Sequence, residues 1–267
     1  MRRILTVTLL ALCIVACQKD ADVPATPAAT GNTAAAASAP LKDVIERTPK
    51  YLVGITFPPV ANQHAPLARA LRDYADAARD DLLEAAKEAD ATGQGSVPYD
   101  LSLNFTDISP RPDVVVIAAD GSLYTGGAHG IPLIARFTYL PEEKRLLQAG
   151  DLVTSEEGWK AISDYVRKEL ADEVGKRLVE DDVPEEDRAE IVKNAAGMIE
   201  QGTAPDAQSF AQFEPIPSAD GKWFGLRFVF PPYQVGPYSD GTQTVDVPAS
   251  VLKPWLAPAY KARFTGG

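Results

Sequence analysis

Two histidines, His64 and His129, are the only imidazoles in this chain, and they limit the chemistry it can carry. Neither has a second histidine or a cysteine at metal-ligand spacing, so no zinc site is encoded locally. The chain contains no Gly-x-Ser-x-Gly elbow, no phosphate-binding Gly-x-x-x-x-Gly-Lys-Ser/Thr loop and no His-Glu-x-x-His pair. The acidic pairs Glu142-Glu143, Asp181-Asp182 and Glu185-Glu186 have the residue types of a glycosidase acid and nucleophile. They fall in hydrophilic helix starts and turns, which reads as solvated surface. The sequence predicts no catalytic residues, no metal and no cofactor.

Two other segments stand out as binding surfaces: Tyr124-Thr125-Gly126-Gly127-Ala128-His129-Gly130, and the run from Phe230 to Gly241 that holds Pro232, Tyr233, Gly236, Pro237, Tyr238 and Ser239. The glycines of the first permit positive φ or close backbone approach, and Tyr124 and His129 flank them with flat rings that have polar tips. In the second, prolines stiffen the backbone behind Tyr233 and Tyr238. A loop built this way loses little entropy on binding and suits a groove. The alternative is that both segments are structural turns, with the tyrosines packed on a sheet and His129 hydrogen-bonded in the core.

The N-terminus sets the expected location. Arg2 and Arg3 precede an apolar run from Ile4 to Ala16, shorter than the roughly 20 residues of a spanning helix and typical of a signal peptide. The run ends Ile14-Val15-Ala16-Cys17, a bacterial lipobox, so residues 1–17 read as a lipoprotein signal whose Cys17 is lipidated, with chains such as palmitate, and becomes the new N-terminus. Cys13 follows the bulky Leu12 and does not fit the pattern. Gln18 after the cysteine favours the outer membrane by the sorting rule of enteric bacteria. Residues 18–40 are nearly all Ala, Pro, Thr, Asp, Gly and Ser, a composition that cannot offset its own ordering entropy, and they read as a disordered tether. The expected product is extracytoplasmic, periplasmic or surface-facing, and held to the membrane only by its lipid.

Charge and cysteine content narrow the partners. Both cysteines lie at or before position 17, so the domain has no thiol for a disulfide, a nucleophile or a metal. The chain has 26 basic and 37 acidic residues, and loss of Arg2 and Arg3 with the signal takes the net charge from −11 to −13. Such a domain repels nucleic acid and attracts basic proteins.

The elements that must position the two segments read as α+β, with an antiparallel sheet or sheets and helices packed on one side. Residues 41–267 form one large domain or two tightly packed halves. Strands are expected at Tyr51–Phe57, Tyr99–Phe105, Val114–Ile117, Leu123–Tyr124, Ile131–Tyr139, Phe210–Phe213, Trp223–Phe230 and Thr242–Val247, with turns at Asp120-Gly121 and Ala219-Asp220-Gly221. Helices are expected from Pro66 to about Gly93, from a Thr154-x-x-Glu157 capping box onward, from near Pro184 to near Gly202, and briefly over Val251–Leu256.

The YTGGAHG segment, the Ile55-Thr56-Phe57-Pro58 strand end and the FVFPPYQVGPYSDG segment resemble the paired extracytoplasmic domains of unknown function in RsiV-type anti-sigma factors and PdaC-type peptidoglycan deacetylases. The resemblance spans about Lys50 to Leu256. It implies an α+β envelope module that, in RsiV-type proteins, binds lysozyme by placing a proline-tyrosine loop in the active-site cleft. On this chain the loop is Gly236-Pro237-Tyr238-Ser239, with Tyr233 at its base and Ser122 and Tyr124 beside it. No sigma-binding segment and no deacetylase domain accompany the module, so neither of those activities transfers. The expectation is a non-catalytic binding module for a basic envelope-active protein such as lysozyme, or for a peptidoglycan fragment. The alternatives are a cell-wall hydrolase or deacetylase using scattered carboxylates and His129, and a purely structural envelope lipoprotein.

Overall fold

A computed structural model describes residues 39–92, 98–109 and 111–266. The signal segment, Cys17 and nearly all of the tether lie outside the described residues, as does the predicted break at Gly93. No helix among the described residues is long and apolar enough to cross a membrane.

In chain order the elements are β1 (Val44–Arg47), β2 (Tyr51–Thr56), α1 (Ala65–Thr92), β3 (Tyr99–Asp107), β4 (Val115–Tyr124), β5 (Ile131–Leu140) and β6 (Arg145–Leu146). They continue with α2 (Ala149–Leu152), α3 (Glu156–Glu180), α4 (Glu185–Gly202), β7 (Phe213–Pro217), β8 (Trp223–Phe230), β9 (Gln243–Pro248) and α5 (Ala249–Leu252). The first six strands form one sheet in chain order, and β7-β8-β9 form a second, antiparallel sheet. This is the α+β, antiparallel-dominated architecture read from the sequence. One pair departs from it: β2 and β3 run parallel, because α1 is the crossover between them.

Burial explains the strand patterns. Leu67, Leu71, Ala75, Ala78 and Leu82 recur at three-to-four spacing on α1 and pack on the sheet against Val53, Ile55, Leu101, Leu103 and Phe137. In β4, Val115, Ile117 and Ala119 join this core, while Val116 and, just before the strand, Val114 enter a second core built by α3, α5 and the β7-β8-β9 sheet. The continuous apolar run at 114–117 is thus a stretch of sheet buried on both faces. β5 links the two cores: Phe137 and Tyr139 face α1, and the buried Thr138 hydroxyl donates to the Phe213 carbonyl at 3.2 Å.

Several expectations need correction. Asp120-Gly121 is not a turn, since β4 runs through it in register with β3 and β5. Glycine is required there because a Cβ would stand 2.0 Å from the Ser102 carbonyl oxygen. The cap of α3 is Ser155, whose hydroxyl accepts the Gly158 N–H at 3.1 Å. A bridge between Val153 and Leu256 keeps the chain extended and moves the helix start one residue past the Thr154 reading. Phe210 is buried in the second core but precedes the strand, which starts at Phe213 and carries Pro215 and Pro217 because β7 is an edge strand. The terminal helix spans Ala249–Leu252 instead of Val251–Leu256. The strand β1 and the short β6 and α2 add to the elements expected from the sequence.

Candidate functional site

The hairpin joining β4 to β5 and the loop joining β8 to β9 lie about a hundred residues apart in sequence, and the fold brings their tips into contact. Gly126 and Gly127 carry φ of 96° and 104°, which turns the hairpin and leaves Ala128 and His129 exposed. The Tyr124 hydroxyl donates to the Gly127 carbonyl at 3.3 Å and braces the turn from within. The His129 ring stacks on Tyr238, with centroids 3.9 Å apart and planes 10° apart. Tyr233 closes the group, its centroid 5.9 Å from His129 and 5.7 Å from Tyr238. The Tyr233 hydroxyl lies 2.8 Å from His129 Nε2, and His129 Nδ1 lies 3.3 Å from the Gly130 carbonyl.

These contacts assign the tautomer of neutral His129. A carbonyl only accepts, so Nδ1 carries the hydrogen, and Nε2 accepts from the Tyr233 phenol. Both phenol and imidazole keep their rings at the surface, with Tyr233 52% and Tyr238 37% exposed. The arrangement forms a compact, π-rich cluster, the stacked pair with Tyr233 tilted 37° to His129 and 38° to Tyr238, whose outer ring faces suit stacking on a guanidinium, a sugar face or an aromatic side chain. The hydrogen-bond partners of His129 are a phenol and a backbone carbonyl; no carboxylate is among them in the described residues.

The late loop is held from beneath. Val235 is 4% exposed and anchored in the second core. The Gln234 side-chain amide donates to the Gly202 and Ser209 carbonyls at 2.8 and 2.9 Å. Gly202, at the end of α4, must lack a side chain because a Cβ would stand 1.8 Å from the Gln234 carbonyl oxygen. Tyr233 adopts a left-handed φ of 74°, closed by its N–H to the Gly236 carbonyl at 3.0 Å, which directs its ring toward His129. A short 3₁₀ turn over Tyr238–Asp240 follows Pro237, and Arg177 of α3 holds Asp240 through an ion pair at 3.0 Å. Pro237, Tyr238 and Ser239 remain exposed above these anchors, while Gly236 is buried.

The fold gathers His129, Tyr233 and Tyr238 into one face. Ser122, half-buried in β4 between Ser102 and Pro132, and Tyr124 have no hydrogen bond or ring contact with the late loop among the described residues. Tyr233 is also more than a base for the loop, since its ring is more exposed than that of Tyr238. The anchors Arg177, Gly202 and Gln234 were not singled out from the sequence, where nothing links Arg177 to an aspartate 63 positions away. The carboxylate pairs divide. Glu143 is engaged by Arg145 at 3.1 Å and Arg263 at 3.1 Å, a clamp on the C-terminal segment. Asp181, Asp182, Glu185 and Glu186 are solvated as read. Among the described residues, no group of three or more His, Cys, Asp or Glu side chains is placed to hold a metal ion.

Residues 150–250 match a family described as "Protein of unknown function (DUF3298)". The match includes the late loop and α3, and excludes the early hairpin. No curated protein matches the chain. Among solved structures, a DUF3298 family member from Bacteroides fragilis is similar at 17% identity and a TM-score of 0.50, covering 81% of this chain and 92% of its own. A DUF3298 family protein from Pseudomonas aeruginosa PAO1 is similar at 18% identity and a TM-score of 0.50, covering 85% of this chain and 96% of its own. At this identity the likeness establishes a shared fold.

Proposed function

We propose that this chain is a lipid-anchored, non-catalytic module of the bacterial cell envelope that receives a basic protein with an open cleft, a lysozyme-like enzyme, on its aromatic loop face. The observation that carries the reading is the His129–Tyr238 stack with Tyr233 beside it, a rigid and exposed anchor assembled from two distant segments. Its backbone is fixed by Val235, Gln234 and the Arg177–Asp240 pair, so little ordering entropy remains to oppose binding. A rigid aromatic anchor above a well-packed base is the form that binding hot spots take. The net charge, −11 for the whole chain and −13 once Arg2 and Arg3 leave with the signal, supplies the long-range attraction for a basic enzyme and speeds encounter. The resemblance to RsiV-type envelope domains rests on the same two segments and supports the same partner. Lipidation at Cys17 and an extracytoplasmic place follow from the signal sequence and belong to this proposal.

The test is inhibition. The full chain in detergent is added to c-type lysozyme turning over cell-wall substrate. The reading expects inhibition that saturates with the chain, weakens with salt, and is lost in Tyr238→Ala. Undiminished turnover at saturating protein, or processing of the cell wall by the chain alone, contradicts it.

A further inference from the structure

Helices α3 and α4 form a hairpin whose tip stands apart from both cores. Of the 18 residues of α4 only Ile199 is buried, and the tip exposes the apolar side chains of Val179, Ile191 and Val192, with Val179 at 58%. Apolar side chains left open on a helix pair and set among charges offer contacts to a partner. Acids outnumber bases around them, with Lys176 one turn before Val179 and Lys193 beside Val192 as the flanking cations. Between residues 180 and 190 the chain carries Glu180, Asp181, Asp182, Glu185, Glu186, Asp187 and Glu190 against a single base, Arg188, which is turned inward to donate to the Val183 carbonyl at 2.7 Å. None of these carboxylates is in an ion pair among the described residues.

Helix stability accounts for only part of this charge. Glu185, Glu186 and Asp187 occupy the first turn of α4, where the macrodipole favours acids. Glu180, Asp181 and Asp182 sit at the opposite pole, the C-terminal end of α3, where the dipole and their mutual repulsion both disfavour them. Asp182 also takes a left-handed φ of 51°. Of these three, only Asp182 has a local structural reason, since aspartate tolerates the left-handed region. Arg177, which pins the Tyr238 loop through Asp240, lies three residues before Glu180, about 4.5 Å along the helix axis.

We infer that the α3–α4 tip is a second docking surface, in which the carboxylates seat a cationic flank of the partner protein and Val179, Ile191 and Val192 take its apolar contacts. This inference rests on the reading above that the partner is a basic protein, and it adds where that charge is received. The acidic tip and the aromatic face are then two contact sites for the same partner.

The test compares the full chain with a tip-neutral variant (Glu180→Gln, Asp181→Asn, Asp182→Asn, Glu185→Gln, Glu186→Gln, Asp187→Asn), with Val179→Asn and with Tyr238→Ala. Each is titrated with c-type lysozyme and, separately, with a synthetic amphipathic lysine-leucine helical peptide. The expected result is an affinity for lysozyme about tenfold weaker at low salt in the tip-neutral variant, with the difference vanishing at high salt. If the tip-neutral variant binds lysozyme like the parent at every salt while Tyr238→Ala loses binding, the inference is overturned and the loop reading stands. If lysozyme binds none of the proteins, the loop reading falls and the peptide decides the tip. Peptide binding retained in Tyr238→Ala but lost in the tip-neutral and Val179→Asn variants supports the tip; no peptide binding overturns it as well.

Discussion

If the aromatic face is built as a unit, the energies of its two halves are coupled, and a double-mutant cycle on His129 and Tyr238 reads that coupling. An aromatic pair contributes about 0.5–1.5 kcal/mol beyond its buried area. The His129–Tyr238 stack is close and nearly parallel, at 3.9 Å and 10°, but Tyr238 stays 37% exposed, so the lower half of the range applies. His129→Ala also removes the acceptor of the Tyr233 phenol, a bond worth about 0.5 kcal/mol at an exposed site. The single variant should therefore lose about 1–1.5 kcal/mol. For a domain of this size that lowers Tm by about 2–6 °C. Tyr238→Ala should lose about 1 kcal/mol, and the double variant should lose less than the sum by about 0.5–1 kcal/mol. Urea unfolding of the four proteins, with equal m-values required, gives the coupling directly. A coupling within about 0.3 kcal/mol of zero would mean that the rings do not meet in solution, and the argument for a preformed face would fail.

Other consequences test the surrounding construction. Gly121→Ala should destabilise the chain by about 1–3 kcal/mol, because its Cβ meets the Ser102 carbonyl at 2.0 Å, whereas Gly54→Ala in the same sheet has open space and should show no such loss in the same melts. Gly202→Ala should displace Gln234 and weaken ligand binding more than it lowers Tm, since the collision is with the base of the loop; an unchanged affinity would deny that α4 positions it. Burial, reinforced by Asp120 and opposed by Arg136, pushes the Tyr74 phenol up to about 12. The folded state then holds the phenol proton more tightly than the unfolded chain. This contribution to stability is complete below the ordinary phenol value of 10.0 and is lost as pH rises through about 12. Tyr74→Phe should flatten that part of the stability curve, and an unchanged slope would contradict the assignment.

Much of the architecture was legible because local pattern and tertiary burial agree. The apolar spacing of α1 marks the face that packs on the sheet, and Pro184 and Gly202 bound α4 where the chain turns. Legibility failed where a distant partner decides. Asp120-Gly121 has the composition of a turn, but the glycine serves a close approach by the neighbouring strand. Val-Ile-Glu-Arg at 44–47 carries no strand alternation and is defined by its pairing with β2. The parallel pairing of β2 and β3 follows from α1 acting as a crossover, which periodicity along one segment does not reveal. At the site, the aromatic and glycine-rich composition identified both segments, yet their meeting depends on the two halves packing through β4 and β5. The stacking of Tyr238 on His129 and the ion pair from Arg177 belong to that packing.

The central claim, that the His129–Tyr233–Tyr238 face receives a basic enzyme, is tested most directly by calorimetric titration of the full chain in detergent with c-type lysozyme, with Tyr238→Ala and Tyr233→Ala in parallel. The account predicts saturable binding at a single stoichiometry in the parent, lost with Tyr238→Ala and weakened with Tyr233→Ala. Absence of heat with the folded parent protein, or equal binding by all three, would contradict it.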